Sequence, residues 1–79
     1  MTDSLEAAAV ALVDELNKIS DDVDRYQAAK ELEAWIDKNL RQVKAVVASN
    51  LYDGRTWGQV GELLGVTGSR AEQISRGAR

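Results

Sequence analysis

The stretch Thr56-Trp-Gly-Gln-Val-Gly-Glu-Leu-Leu-Gly-Val-Thr-Gly-Ser-Arg-Ala-Glu-Gln-Ile-Ser-Arg76 decides the fold. Thr56 and Gln59 have capping-box spacing, in which each side chain satisfies a backbone amide that the first helical turn leaves unpaired. A helix over Trp57–Leu64 follows. Gly65 ends it, because glycine adopts the left-handed conformation of a helix C-terminus at little cost. Thr67 or Ser69 then caps a further helix running to about Ser75. Two short helices that cross at ~90–120° need a tiny residue at the crossing and apolar residues to hold the angle. Gly61 suits the crossing. Val60 and Leu64 on the first helix, Val66 in the turn, and Ala71 and Ile74 on the second suit the packing. The pattern is a helix-turn-helix, and its rival is a plain helical hairpin.

Reading back toward the N-terminus, Asp53-Gly54 marks a turn. Before it lies a long apolar periodicity: Val23, Tyr26, Ala29, Leu32, Trp35/Ile36, Leu40, Val43, Val47 and Leu51. This predicts a central helix starting after Ser20, with Ser20 as its cap and Asp21, Asp22 and Asp24 favouring its positive end. A single helix of about 30 residues would be roughly 45 Å long. The alternative is a break or bend near Asn39. The first helix is expected over about Ser4–Lys18, with Asp3 and Glu6 as a variant capping box. Its stripe of Leu5, Ala9, Leu12, Leu16 and Ile19 is heptad-like, widened by Ala8 and Val13, and too short to stand alone. Proline is absent and all six glycines lie at or after Gly54, so nothing in residues 1–53 breaks a helix.

The 79 residues suffice for one small domain, which at this size needs added support. Neither cysteine nor histidine is present, so disulfides and common zinc sites are excluded, and oligomerisation is the helper left. No apolar run reaches ~18 residues, and the start Met1-Thr2-Asp3-Ser4 lacks the basic character of a signal peptide. A cytoplasmic location is expected, with no cofactor and no metal. Catalysis has no support, since no nucleophile stands beside a plausible base.

The net charge of −3 conceals an asymmetry. Residues 1–40 hold ten acidic and four basic residues, a balance of −6; residues 41–79 hold three acidic and six basic residues, a balance of +3. Two surfaces with different tasks are expected.

The pattern Thr-x-x-x-Val-Gly-x-x-Leu-Gly-Val-Thr-x-x-Arg-x-x-Gln-Ile resembles the C-terminal DNA-binding region of bacterial sigma factors. It also resembles small actinobacterial, phage or plasmid regulators with a sigma-like helix-turn-helix. The likeness covers about residues 40–76, including a preceding helix that would lie behind the motif. It implies that the last helix enters the major groove and that Arg70 and Gln73 face DNA. Gly68 and Glu72 stand where that family usually has basic residues.

The residues themselves point to the same surface. With Ala71 and Ile74 inward, Thr67, Gly68, Ser69, Arg70, Gln73 and Arg76 are left outward. Hydroxyls and helix-start amides suit phosphate, and Arg and Gln can pair with guanine and adenine. Arg55 and Arg79 are candidate phosphate contacts. Glu72 could accept from a cytosine amine, but pairing with Arg76 four positions on is the simpler role. Arg41 and Lys44 are expected on a solvated face. Trp57 is expected as a packing anchor and Trp35 as core or interface.

The expectation is therefore an all-α protein of three to four helices, with a long central helix and a C-terminal helix-turn-helix. It is read as one domain, residues 1–52 for oligomerisation and 53–79 for the motif. Its partners would be double-stranded DNA, in sequence-specific binding for transcriptional regulation, and further copies of itself through the N-terminal helices. A protein-interaction module that binds a regulator or sigma factor is the other reading.

Overall fold

The computed structural model describes residues 1–78 and is all-α. Four helices follow one another: α1 Asp3–Asn17, α2 Asp22–Tyr52, α3 Trp57–Leu64 and α4 Gly68–Ser75. No helix among the described residues is long and apolar enough to cross a membrane.

The two N-terminal caps each sit one residue from the expected position. The Thr2 hydroxyl, not Asp3, caps α1 by accepting from the Leu5 amide at 3.4 Å. Asp3 thereby enters the first turn, where its charge favours the positive helix end. At α2 the carboxylate of Asp21, not Ser20, accepts from the Asp24 amide at 2.9 Å. The Asp21 carbonyl accepts the first helical bond from Arg25, also at 2.9 Å. A charged acceptor makes a stronger cap bond than a neutral hydroxyl.

Helix α2 runs 31 residues without a break at Asn39. A single asparagine costs a helix interior well under ~1 kcal/mol, too little to interrupt so long a periodic stretch. The chain divides into two compact units within this helix, Met1–Trp35 and Ile36–Arg79. The division falls well before the expected boundary at residues 52 and 53. The last turns of α2 belong with the helix-turn-helix because their buried residue, Ala48, has no exposed surface.

In the N-terminal unit α1 buries none of its residues. Leu16, Ile19, Ala28 and Leu32 are half-buried, whereas Leu5, Val10, Leu12, Val13, Val23, Tyr26 and Trp35 are exposed. The stripe anticipated on α1 is real as a pattern but is covered only toward its C-terminal end.

The C-terminal unit holds the core. Ala48, Val60 and Ala71 are fully buried, and Gly61 is buried with them. Leu64, Val66 and Ile74, expected to help pin the motif, are less enclosed: Leu64 and Val66 each keep 36% of their surface and Ile74 is half-buried. The reason is local. Gly61 lets the turn backbone at residues 66–68 come against α3, and the fully buried side chains are the small Ala48, Val60 and Ala71, while the larger ones stay at the margin. With Val43, Lys44 and Val47 they line an open groove of about 310 Å³.

Candidate nucleic-acid interface

The motif is assembled from its caps inward. Thr56 Oγ1 accepts from the Gln59 amide at 3.2 Å, and Gln59 Oε1 accepts from the Thr56 amide at 2.9 Å. The capping box read from the sequence is therefore complete in both directions. Gly65 ends α3 with φ 73°, a left-handed value that costs an L side chain ~1–2 kcal/mol. The Val66 amide donates to the Gly61 carbonyl at 2.9 Å, closing the turn. Of the two candidate caps for α4, Thr67 takes the role: its hydroxyl accepts from the Arg70 amide at 3.1 Å.

Two glycines let α4 approach α3. A Cβ on Gly61 would lie 2.6 Å from the Val66 carbonyl oxygen and 2.8 Å from the Thr67 carbonyl carbon. A Cβ on Gly68 would lie 3.0 Å from the Gly58 amide nitrogen and 3.1 Å from its Cα. Gly68, expected to face outward, instead turns its missing side chain toward the start of α3. Its glycine is explained by packing. The Gly58–Gly68 pairing went unread in the sequence, although two glycines ten positions apart on adjoining short helices were a visible signal.

Tyr52 and Trp57 stack with ring centroids 3.9 Å apart and planes 11° from parallel. The stack bridges the turn between α2 and α3 and makes Trp57 the anticipated packing anchor. Tyr52 is a partner that the sequence did not disclose, because it closes the α2 stripe without continuing its period.

On α4 and its C-cap, Ser69, Gln73 and Arg76 recur at helical spacing and are exposed. Glu72 lies on the same side and is half-buried. Arg76 Nη2 pairs with Glu72 Oε1 at 2.6 Å, the simpler role foreseen for this acid. Half-buried Arg70 directs Nη1 to Gln73 Oε1 at 3.5 Å, at the outer limit of a hydrogen bond. Exposed Arg55 donates from Nη1 to the Leu51 carbonyl at 3.1 Å, at the end of α2. Of the seven residues singled out, Ser69, Arg70 and Gln73 lie on the reading helix and Arg76 is its C-cap. Thr67 caps it, Gly68 packs beneath it and Arg55 stands at the preceding turn. Arg79 lies outside the described residues.

Arg41 is not on a solvated face. It is half-buried; its Nη1 donates to the Gly77 carbonyl at 3.4 Å, and its Nε lies 3.2 Å from Asp37 Oδ2. That Nε is close enough to Asp37 for an ion pair but is not aligned for a hydrogen bond. A cation beside the carbonyls that follow α4 suits the negative end of that helix. Lys44 is exposed, as expected, on the lining of the apolar groove.

No known family model, curated protein or solved structure matches this chain.

Proposed function

We propose that the chain binds double-stranded DNA through α4, in the manner its likeness to sigma-factor regulators implies, and acts as a transcriptional regulator in the cytoplasm. The observation carrying this reading is the α3-turn-α4 geometry. Gly61 admits the turn backbone at a distance no side chain tolerates, Gly65 is left-handed, and Thr67 caps a helix with Ser69, Arg70 and Gln73 on it and Arg76 as its C-cap. Arg70 and Gln73 are suited to base edges. Arg76 and Arg55 are themselves exposed and are suited to phosphate.

The chain works as a dimer or higher oligomer. One short helix with so few cations gives weak binding, and two linked copies raise the effective affinity. Apolar surface left open on α1 supports self-association.

A mobility-shift titration on random-sequence DNA at low salt tests the reading. The double variant Arg70→Ala/Arg76→Ala is expected to bind at least about tenfold more weakly. Unchanged affinity removes α4 as the reader, and no shift of the parent protein at any salt concentration removes DNA binding. A second reading, a protein-interaction module built on this fold, is favoured by Glu72, which neutralises Arg76 on the reading helix.

A further inference from the structure

Two apolar surfaces on this chain stand open. One is the stripe on α1. Leu5 and Leu12 keep 58% and 42% of their surface, with Ala9 between them at helical spacing and also exposed. The other is the groove of the C-terminal unit, lined by Val43, Val47, Leu64, Val66 and Ile74 with Lys44. Val43 and Val47 there keep 58% and 42% of their surface.

Their charges are opposite. The unit Met1–Trp35 has nine acidic and three basic residues, a balance of −6, and Ile36–Arg79 has four acidic and seven basic, a balance of +3. Helix α1 alone carries Asp3, Glu6, Asp14 and Glu15 and no basic residue. Glu6 and Glu15 flank its apolar stripe on either side. Lys44 is the charged residue of the groove lining. An amphipathic helix laying its apolar face into a groove, with charged flanks choosing the orientation, is a recurring mode of recognition.

We propose that α1 of one copy occupies the Val43–Val47–Leu64–Val66–Ile74 groove of a second copy, and that the exchange is reciprocal. Chain length argues for the second copy. Helix α1 has 15 residues, ~22 Å at 1.5 Å per residue, and begins its return four residues before α2. Val43 stands 21 positions beyond the start of α2, ~32 Å along it. Leu12 lies ~8 Å before the end of α1, and the connection to α2 spans at most ~18 Å when fully extended, so a chain cannot bring its own Leu12 to its own Val43. Reciprocity follows from closure: a one-way contact between unlike surfaces continues into a filament, whereas mutual exchange ends at two copies. It also buries two helix-in-groove contacts per dimer, which moves a small protein toward the ~800 Å² per partner of a standard interface. The inference rests on the self-association proposed above and is independent of DNA binding.

Sedimentation of the full chain with paired variants tests it. Leu12→Glu disables the stripe, and Val47→Glu disables the groove; both positions are exposed, and far-UV circular dichroism checks the helices. Each variant alone is expected to raise the dimer dissociation constant at least about thirtyfold. An equimolar mixture of the two is expected to recover a heterodimer, because the intact α1 of the Val47→Glu chain meets the intact groove of the Leu12→Glu chain. The charge change Lys44→Glu, at an exposed position on the groove lining, is expected to weaken the parent dimer about three- to tenfold without touching the core. Dimers that survive Val47→Glu but not Leu12→Glu would show α1 pairing with α1 and overturn the proposal while leaving self-association intact. A monomeric parent, or a mixture that stays monomeric, also overturns it. Mobility shifts on DNA are read separately, so failure of the DNA reading is distinguishable.

Discussion

The Val66 amide donates to the Gly61 carbonyl, and the Val66 carbonyl oxygen occupies the space that a Cβ on Gly61 would need. One residue thus closes the turn and limits its partner to a hydrogen atom. The other atoms crowding that position are backbone as well, so no rotamer change relieves the contact.

Gly61→Ala is therefore expected to destabilise the protein by ~3 kcal/mol, the upper end of overpacking costs, since the displaced atoms are main chain. Urea unfolding followed by circular dichroism measures it. A loss below ~0.5 kcal/mol would mean that α3 and α4 separate easily.

Gly65 presents a different constraint. Nothing lies within 4 Å of a Cβ built there, but its φ is 73°. Gly65→Ala is expected to cost ~1–2 kcal/mol through backbone strain alone. Gly65→Asn is expected to cost less, because asparagine tolerates the left-handed region. Equal losses for the two variants would contradict a conformational cause.

Thr56→Ala removes the acceptor for the Gln59 amide and is expected to cost ~1 kcal/mol. Thr56→Ser retains the hydroxyl and is expected to stay within ~0.5 kcal/mol of the parent. Thermal unfolding of the three proteins in parallel reads the difference.

Glu72→Gln releases Arg76 from its 2.6 Å ion pair and removes a negative charge from the reading helix. On the proposed function, affinity for random-sequence DNA is expected to rise severalfold, and the dependence of log affinity on log salt to steepen by about one contact. Binding isotherms at several salt concentrations give both numbers. Stability is expected to change little, since exposed pairs contribute ~0–1 kcal/mol.

The motif was legible in the sequence because its demands are local. Thr56 with Gln59, Gly65 and Thr67 are set by backbone chemistry within a few residues, and the structure has each in its expected role. Helix bounds for α3 followed directly. Residues whose roles depend on distant partners were harder to read. Gly68 lies ~100° from Ser69 on a helical projection, at the edge of the outward arc, and only the approach of Gly58 reveals its packing role. Arg41 reads as one more charged residue until Gly77 is brought beside it. Leu64, Val66 and Ile74 satisfy an apolar pattern, yet a pattern carries no information on how fully neighbours enclose them. The caps of α1 and α2 shifted by one because adjacent Thr, Ser and Asp residues are nearly equal cap formers.

The Tyr52–Trp57 stack also gives the chain its own optical labels. Its two tryptophans fall one in each compact unit: Trp35 closes the first with 64% of its surface exposed, and Trp57 is half-buried in the second. The Tyr52 ring stacked on Trp57 makes the emission of that indole a reporter on the turn into the helix-turn-helix. Trp35 is the more exposed of the two and is expected to emit to the red of Trp57. Replacing either indole by phenylalanine leaves a single tryptophan, which can be excited to the red of the two tyrosines, and the melting of each unit can be followed without an attached dye.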